Sequence, residues 1–407
     1  MIKALTFFIL IQMPLYGEIS HYRNILVGDR AVGMAGTYTA ISDDASGAFY
    51  NPSGIVYSEK ATGLSASANV YHLQGSEYKN AIRDQDWNRK SAELLPNFFG
   101  ILKNWGKHAF EFSIIIPDSF VQHQDQVFND LPSTGTEPAI DRYVFNLHTE
   151  DTSYLIGPSY AFKFNDKLSI GTSLSFFYRK NRMQIYQNIW YPDDTYSSSS
   201  VITEWGEKGI APKLGLRWSI LENLKFGFVI AHTFIISSNF NAQSNLKEKD
   251  KNTSSFDELT IKNKRKMPTQ ISIGFAYEPT DSFTIATDFD FYTSAKGDAF
   301  YPYGYDATIN ASIAAEYKIS NKHVVRAGLF TNRSNMPKPS TETRQLTHID
   351  LYGFSSGYTF HLESTTITLG IVYSAGSGES QVYESSSRII PLSRYTLSGV
   401  LATSFKF

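Results

Sequence analysis

The sequence predicts an all-β protein, a transmembrane antiparallel β-barrel of about fourteen strands with a small N-terminal hatch, or plug, inside its lumen. Three observations predict this fold class. Apolar residues alternate with small or polar ones along most of the chain, and the connections between strand-like runs are alternately short and long. Aromatic residues make up 14% of the chain although its mean hydropathy is -0.25. Aromatic girdles outside and a polar lumen inside account for this combination.

The alternating runs identify the strands and the environment of each face. In residues 168–178 and 283–291, large apolar side chains alternate with small, polar or charged ones. The outer face of a soluble sandwich carries many Lys and Glu, whereas the polar face here is mostly Ser, Gly, Thr and Ala, which favours a lumen. Candidate strands lie at about 61–72, 97–103, 107–116, 143–164, 167–182, 209–220, 224–238, 256–278, 281–293, 307–319, 322–332, 348–361, 364–375 and 393–407.

The connections predict which ends of the strands face outward. Short turns lie at 104–106, 165–166, 221–223, 279–280, 320–321 and 362–363, and long loops lie near 73–96, 117–142, 183–208, 239–255, 294–306, 333–347 and 376–392. Short periplasmic turns and long extracellular loops must alternate in this way. Strands 143–164 and 256–278 exceed the roughly ten residues that cross a bilayer at a tilt. Each either extends beyond the membrane or is a fused pair.

Composition narrows the class of protein. The chain has 407 residues, of which 42% are hydrophobic and 19% charged, and its formal charge of -2 argues against binding to a polyanion such as nucleic acid. It has no cysteine, which excludes disulfides and thiolate metal sites. No window after the first 17 residues approaches eighteen uncharged apolar residues. If the chain lies in a membrane, it must therefore cross it as a closed barrel.

The N-terminus resembles an export signal. Met1-Ile2-Lys3 precedes an apolar run too short to span a bilayer, and Gly17 is a small residue at a possible cleavage site. We therefore expect a signal peptide at residues 1–17, a plug at 18–60 and the barrel at 61–407.

Residues 28–56 have the composition of a plug. They are rich in Gly and Ala, including Gly33 and Gly36, and carry no charge run. Small residues suit a segment that threads close to other backbone. Asn51-Pro52-Ser53-Gly54 then forms a turn, because each residue has a turn-specific role. A surface hairpin loop is the alternative explanation.

These motifs resemble the N-terminal hatch of the FadL/TodX family of outer-membrane transporters for long-chain fatty acids and aromatic hydrocarbons. The glycine-rich run at 30–36, the Asp-Asp-Ala element at 43–45 and the Asn-Pro turn at 51–54 occur in the family's order. Ser53 stands where the family has Ala. Weaker similarities lie at 156–171, 267–288 and 325–337, so the resemblance covers nearly all of the chain after the signal.

The resemblance implies a bacterial outer-membrane channel for passive, plug-gated uptake of hydrophobic small molecules such as long-chain fatty acids. The alternative is a non-transporting barrel that acts as an accessory or shuttle component for surface or secreted proteins. Expected partners are the hydrophobic substrate, outer-membrane lipid and lipopolysaccharide, and the barrel assembly machinery through the C-terminal strand, which ends in Phe407. We expect a monomer that binds no nucleic acid.

Asp43 and Asp44 are candidate anchors of the plug. Inside a barrel these carboxylates must be paired or hydrogen-bonded, for example to Arg217, to Arg326 or to backbone amides. An exposed Asx-turn is the alternative.

Two prolines and one basic cluster mark other features of the wall. Pro158 and Pro268 lie inside predicted strands and indicate bends, since proline removes a ladder donor, and such a bend either opens a side passage or is only a kink. The densest basic cluster consists of Lys262, Lys264, Arg265 and Lys266. In the predicted topology it lies toward the extracellular half of strand 256–278, where it contacts lipopolysaccharide phosphates or attracts an anionic amphiphile, or is only solvated.

No motif predicts catalysis, a metal or a cofactor. Residues 353–357 fit G-x-S-x-G, but they lie within an alternating strand, whereas a nucleophile elbow needs a strand-turn-helix context. The nine His show no zinc-ligand spacing. The sequence therefore predicts a protein that is not an enzyme.

Overall fold

The computed structural model describes residues 20–58, 62–134, 138–249, 254–262, 264–298, 302–343, 346–381 and 388–406. The predicted export signal at 1–17 lies outside these ranges.

Three short helical segments precede a long series of strands. The helical segments are α1 (Arg30–Gly33), α2 (Gly47–Tyr50) and a 3₁₀ helix (Pro52–Tyr57). The strands are β1 (Thr62–Ile82), β2 (Gln85–Trp105), β3 (His108–Leu131), β4 (Ile140–Lys163), β5 (Leu168–Trp190), β6 (Tyr196–Leu221), β7 (Leu224–Ala231), β8 (Phe234–Lys247), β9 (Ser255–Lys262), β10 (Gln270–Thr280), β11 (Phe283–Tyr292), β12 (Thr308–Lys318), β13 (His323–Asn332), β14 (Thr347–Ile349), β15 (Leu351–His361), β16 (Thr365–Ser380) and β17 (Ile390–Lys406). Among the described residues, no helix has the length and apolar character needed to cross a membrane.

The strands form one closed antiparallel barrel. β1 pairs with both β2 and β17, so the sheet has no free edge. Three barrel strands are each built from two segments: β7 with β8, which both pair with β6; β9 with β10; and β14 with β15, which both pair with β16. Counted in this way, the described strands number fourteen, which confirms the predicted fold class.

The two long predicted strands have different explanations. β4 is a single strand that continues well past the roughly ten residues needed to cross the bilayer. The second is divided into β9 and β10, and residues 264–269 between them are not in a strand. Pro268 lies in this break, where no ladder donor is needed.

The prediction of long outer loops was wrong over much of the chain. β1 and β2 continue through residues 73–96 and meet at a two-residue turn, in which Arg83 and Asp84 have φ angles of 44° and 71°. Positive φ at both positions is typical of a tight hairpin. β3 to β6 extend in the same way. The extensions were not predicted because the outward residues beyond the membrane face water and are polar. The apolar alternation therefore ends although the strand itself continues.

An apolar band surrounds the lower part of the barrel. Its outward side chains alternate with buried ones along each strand. Exposed members include Phe99, Ile101, Phe110, Phe112, Ile170, Leu174, Leu214, Ile230, Phe275, Phe289, Ile313, Leu329, Phe354, Leu369 and Leu401. Exposed aromatic residues near the short turns include Trp105, Tyr160, Trp218, Tyr277 and Tyr317. Such a band matches lipid contact bounded by an aromatic girdle.

Residues 20–58 fill the lumen. The 3₁₀ helix packs on β3 to β6, and α1 packs on β13, β15 and β16, which lie on another part of the wall. We refer to residues 20–58 as the plug. Small side chains form one part of its contact with the wall, where Ala31, Ala40 and their neighbours pack against small wall residues such as Ala276 and Ala314.

Candidate functional site

Two wall glycines let the plug backbone touch the barrel. A Cβ atom built on Gly215 of β6 would lie 2.0 Å from Oδ1 of Asn51, and one on Gly227 of β7 would lie 2.1 Å from the carbonyl oxygen of Thr39. Separations this short are sterically forbidden, so a side chain at either position must displace the plug. The missing Cβ atoms therefore fix how closely plug and wall approach.

The glycines predicted in the plug also lie at close contacts. Gly33 lies against Arg326, since an added Cβ would lie 3.0 Å from the Cβ of that arginine. Gly54 faces Ser42, whose Cβ would lie 2.5 Å from an added Cβ. Gly36 has a φ of 70°, a conformation that favours glycine.

Asn51 joins the turn to the wall. Its Oδ1 accepts from the backbone N–H of Ser53 at 3.1 Å and from the Ser53 hydroxyl at 2.7 Å, which caps the 3₁₀ helix that begins at Pro52. Its Nδ2 donates to the carbonyl oxygen of Thr39 at 2.7 Å and to that of Leu216 in β6 at 3.1 Å. The side chain is fully buried, so each of these bonds is costly to lose.

Asp43 is attached to the wall through an arginine of the plug. Arg30 donates from Nη1 to Asp43 Oδ2 at 2.7 Å and from Nη2 to Glu316 Oε1 of β12 at 2.7 Å. Glu316 also accepts from Arg326 Nε at 2.5 Å. The cation bonded to Asp43 is therefore Arg30 of the plug, and not Arg217 or Arg326 of the wall, the two arginines that the sequence offered as examples. Arg217 instead donates to the carbonyl oxygen of Ala40 at 3.0 Å.

The pKa values of the two aspartates are shifted in opposite directions because their surroundings differ. Burial alone would raise the pKa of Asp43, but the Arg30 guanidinium and the Tyr38 hydroxyl hold it at about 2. Asp44 has no such cation, and burial raises its pKa above the ordinary value. Its Oδ1 accepts from the backbone N–H of Ser46 at 2.8 Å and from the Ser46 hydroxyl at 2.6 Å. Asp44 thus forms an Asx-type turn, the alternative that the sequence left open for the two aspartates, but the turn is partly buried and not fully exposed.

Further wall residues hold the plug and were not predicted. One carboxylate oxygen of Asp288 accepts from the backbone N–H groups of Tyr38 and Thr39 at 2.8 and 2.9 Å. Ser355, inside the G-x-S-x-G stretch of β15, accepts from the N–H of Ala35 at 2.8 Å and donates to the carbonyl oxygen of Gly33 at 3.2 Å. A charged or hydroxyl residue at an inward position of an otherwise apolar strand is the sequence signal that could have identified such wall contacts.

A polar cavity lies between the plug and the short turns. Its volume is about 420 Å³, and its lining includes Arg30, Asp43, Asp44, Glu316 and Arg326. The ionic chain that holds the plug therefore borders the space on the periplasmic side.

The opposite end of the lumen is apolar. We define the outer apolar cluster as Tyr78, Ala81, Trp87, Phe128, Leu131, Ile140, Tyr143, Phe145, Leu147, Met183, Ile185, Ile349, Leu351, Ile390 and Leu392. These side chains are buried on the inner face of the extended strands. The lumen thus changes from apolar at the outer end to polar beneath the plug.

The wall has a seam between β2 and β3. Backbone pairing between them runs from Trp105 and His108 to Phe98 and Ile115 and then stops, while β2 remains paired with β1 and β3 with β4. Polar side chains bridge the seam. Arg89 Nε donates to Gln122 Oε1 at 2.9 Å, and the Gln124 side chain donates to the backbone carbonyl of Asn88.

The predicted bends lie at other interruptions. Pro158 pairs with Phe112 of β3, but pairing of β4 with β5 is interrupted between Ile156 and Ser159. Opposite the break at residues 264–269, β7 ends at Ala231 and β8 begins at Phe234, so pairing is interrupted there too.

The basic cluster does not act as a unit. Lys262, Lys264 and Lys266 are exposed, but Arg265 is buried and pairs with Glu207 of β6 at 2.7 Å. For Arg265 the predicted outward contact was wrong, since its partner is inside the barrel. Glu207 also accepts from Arg179 at 3.4 Å, and Arg179 donates from Nε to Asp151 at 2.7 Å. The described residues contain no cluster of three or more groups suited to a metal ion.

A closed fourteen-strand barrel with an apolar outer band and a lumen filled by its own N-terminal segment defines the class of plugged outer-membrane transport barrels. The chain belongs to the outer membrane protein transport protein family (OMPP1/FadL/TodX), whose model matches residues 27–398. The family and the fold place the protein in the outer membrane. Comparison with curated proteins found no match.

Solved structures share the fold at low sequence identity. The toluene transporter TodX of Pseudomonas putida is 13% identical, with a TM-score of 0.65 and coverage of 94% of this chain and 98% of that one. A FadL homologue of Pseudomonas aeruginosa is 13% identical, with a TM-score of 0.64 and coverage of 95% and 100%. The monoaromatic hydrocarbon channel CymD is 15% identical, with a TM-score of 0.61 and coverage of 94% and 97%.

Proposed function

We propose that the protein is a passive, plug-gated channel that takes up hydrophobic small molecules, such as long-chain fatty acids, across the outer membrane. The observation that carries this proposal is the outer apolar cluster, which fills the outer lumen above a plug held by separate polar contacts. Two of the similar structures are a toluene transporter and a monoaromatic hydrocarbon channel, which makes aromatic hydrocarbons the second substrate class to test.

Capture is the first step of the proposed mechanism. Burial of a methylene group contributes roughly 0.8 kcal/mol, so a long acyl chain gains several kcal/mol when it replaces water contacts by contacts with side chains such as Trp87, Phe128 and Tyr143. No energy input is needed, because the molecule moves down its own gradient.

Passage requires a change in the plug. Gly33, Gly36 and the turn Asn51-Pro52-Ser53-Gly54 lie at its closest contacts, and Arg30, Asp43 and Asp44 border the cavity below it. A shift of these residues connects the outer lumen to the polar cavity. The seam between β2 and β3 offers a second, sideways route, since side chains alone bridge it.

The alternative, an accessory or shuttle barrel, calls for polar outer loops and a lumen that is poor in apolar residues. The outer apolar cluster favours transport over that alternative.

Smaller parts of the proposal concern export and contacts. We propose that residues 1–17 are a cleaved signal and that the C-terminal strand β17 is recognised by the barrel assembly machinery. The exposed Lys262, Lys264 and Lys266 contact lipopolysaccharide phosphates, and the barrel acts as a monomer.

The test is uptake of a labelled long-chain fatty acid by cells that express the chain. A variant with Asn51, Pro52 and Ser53 all replaced by Ala removes the wall bonds of Asn51 and is expected to change the uptake rate at equal surface expression. Labelled toluene is measured in parallel. If cells that express the protein and cells that lack it take up each compound at the same rate, the transport proposal is wrong.

A further inference from the structure

Two histidines form a pair on the outward face of the extended wall. His123 of β3 and His148 of β4 are directly opposite each other in the antiparallel register. Their Nδ1 atoms are 2.9 Å apart, and their ring centroids are 5.0 Å apart with planes inclined at 65°. This pair lies beyond the lipid-facing Ile114, toward the long-connection end, and takes no part in the plug or the lumen.

The frame that carries the pair is regular. Pairing of β3 with β4 is uninterrupted from Asp118 and Ser153 to Asn129 and Arg142, and pairing of β4 with β5 continues on the other side of His148. Cβ atoms of directly opposed residues in an antiparallel pair lie about 4.5–5.5 Å apart. The backbone therefore holds the two imidazoles together before any ligand arrives.

The nitrogen separation suits two ligands of one metal ion. Imidazole nitrogens bind transition metals at about 2.0–2.1 Å. Two such bonds at about 90° to each other place the nitrogens about 2.9 Å apart, whereas a tetrahedral angle places them about 3.3 Å apart. The observed 2.9 Å thus fits adjacent positions in square-planar or octahedral geometry, which Cu²⁺ and Ni²⁺ adopt with nitrogen ligands.

The charges next to the histidine pair are of both signs. Asp125 follows His123 by two residues and Glu150 follows His148 by two residues, so both carboxylates lie on the same outward face. They do not complete a cluster of three ligands among the described residues, and Arg182 of β5, which is opposite Glu150 in the register and pairs with Glu204 at 3.4 Å, offsets part of their charge. The other coordination positions remain for water or for a second molecule.

We infer that His123 and His148 form an extracellular site for a divalent transition-metal ion of the Cu²⁺ or Ni²⁺ type, bound by two imidazole nitrogens. Without metal, one ring donates its Nδ1–H to the other. Binding of a metal ion at both Nδ1 atoms requires the donating ring to carry its proton on Nε2 instead. This site is independent of transport through the lumen.

The test uses the full-length protein in detergent, without a polyhistidine tag, titrated with Cu²⁺. The single variants His123→Asn and His148→Asn are expected to bind about tenfold or more weakly than the unaltered protein, because each retains one ligand. His108→Asn is the matched control. It alters an exposed histidine on the same strand, whose Nδ1 lies 2.7 Å from the Tyr160 hydroxyl, and should leave the affinity unchanged.

Electron paramagnetic resonance of bound Cu²⁺ gives the decisive signature. Two equivalent imidazole nitrogens are expected in the unaltered protein and in His108→Asn, and one in each single variant. Heat-modifiable mobility on gels confirms that each variant is a folded barrel. The inference is overturned if the single variants bind Cu²⁺ as tightly as the unaltered protein, or if the unaltered protein shows only one nitrogen. A Zn²⁺ affinity above that for Cu²⁺ would overturn the assigned geometry.

Discussion

At the scale of single residues, the plug is held by a short ionic chain in place of one direct bond to the wall. Arg30 lies between Asp43 of the plug and Glu316 of the wall, with Nη–O distances of 2.7 Å to each. Removal of one member of a buried ion pair is costlier than the bond itself contributes, because it leaves the partner charge unpaired. Arg30 is therefore the residue on which this attachment depends.

Replacement of Arg30 by Met should loosen the plug. Asp43 then loses its cation while Glu316 keeps Arg326, at a cost of about 3 kcal/mol, the low end of the range for a buried pair because Asp43 keeps some exposure. We expect larger and more frequent ion-conducting openings in planar bilayers. Arg333→Met is the control, since its pair with Asp350 spans 3.4 Å and its side chain is 53% exposed. Equal conductance in Arg30→Met and the unaltered barrel would contradict this prediction.

Acid should loosen the plug only at low pH. The pKa of Asp43 is lowered from 3.8 to about 2, so its stabilising contribution is complete above the higher value and is lost as pH falls toward the lower one. The pKa of Asp44 is shifted upward, so the measurement belongs in an Asp44→Asn background. The contribution of Asp43 predicts that conductance rises as the pH falls below about 4. If the rise in conductance is already complete at about pH 5, a group other than Asp43 is responsible for it.

At the scale of secondary-structure elements, wall strands carry glycine where the plug touches them. Gly215 and Gly206 both lie in β6, but only Gly215 faces the plug. A Cβ on Gly215 would collide with Asn51 at 2.0 Å, whereas one on Gly206 would have no heavy atom within 4 Å. The two positions form a matched pair.

We expect Gly215→Ala to displace the turn that begins at Asn51 and to raise ion conductance, and Gly206→Ala to leave it unchanged. Protease cleavage within residues 20–58 of the folded protein provides a second readout, because a displaced plug exposes its backbone. Identical cleavage of the two variants would show that the plug tolerates the added methyl group.

The sequence predicted elements better than it predicted contacts. Fourteen strands follow from alternation and turn spacing, which are local properties. The strand extensions at 73–96 and 117–142 were missed because the outward face changes from lipid to water there. The break at 264–269 coincides with the bend that Pro268 predicts, because proline removes a ladder donor whatever its partners are. Arg30, Asp288 and Ser355 could not be assigned as anchors, since their partners are distant in sequence and depend on how plug and wall face each other.

At the scale of the whole molecule, the barrel is paired all round near the short turns but open in its backbone bonding at the seam between β2 and β3. Near Asn88 and Gln124 only side chains join the two strands. Because the chain has no cysteine, introduced cysteines are the only thiols.

This absence permits a direct test of the sideways route. Asn88→Cys combined with Gln124→Cys, joined by a short bismaleimide, should lower the uptake of the labelled hydrophobic compound if molecules leave through the seam. Asp125→Cys with Asn146→Cys, a directly paired position of β3 and β4, is the control and should have no effect. If uptake is unchanged after complete cross-linking of the seam, the compound passes through the lumen past the plug and not through the seam.

The length of the outer strands sets where a molecule first meets the protein. β3 has 24 residues, and a strand rises about 3.3 Å per residue, so at a tilt of about 40° some 35 Å of it stands beyond the roughly ten residues that cross the bilayer. Water surrounds this portion, while its inner face carries the outer apolar cluster. A poorly soluble compound in the surrounding medium can therefore be collected at a height above the sugar headgroups and lowered past them, without having to dissolve in that hydrated layer.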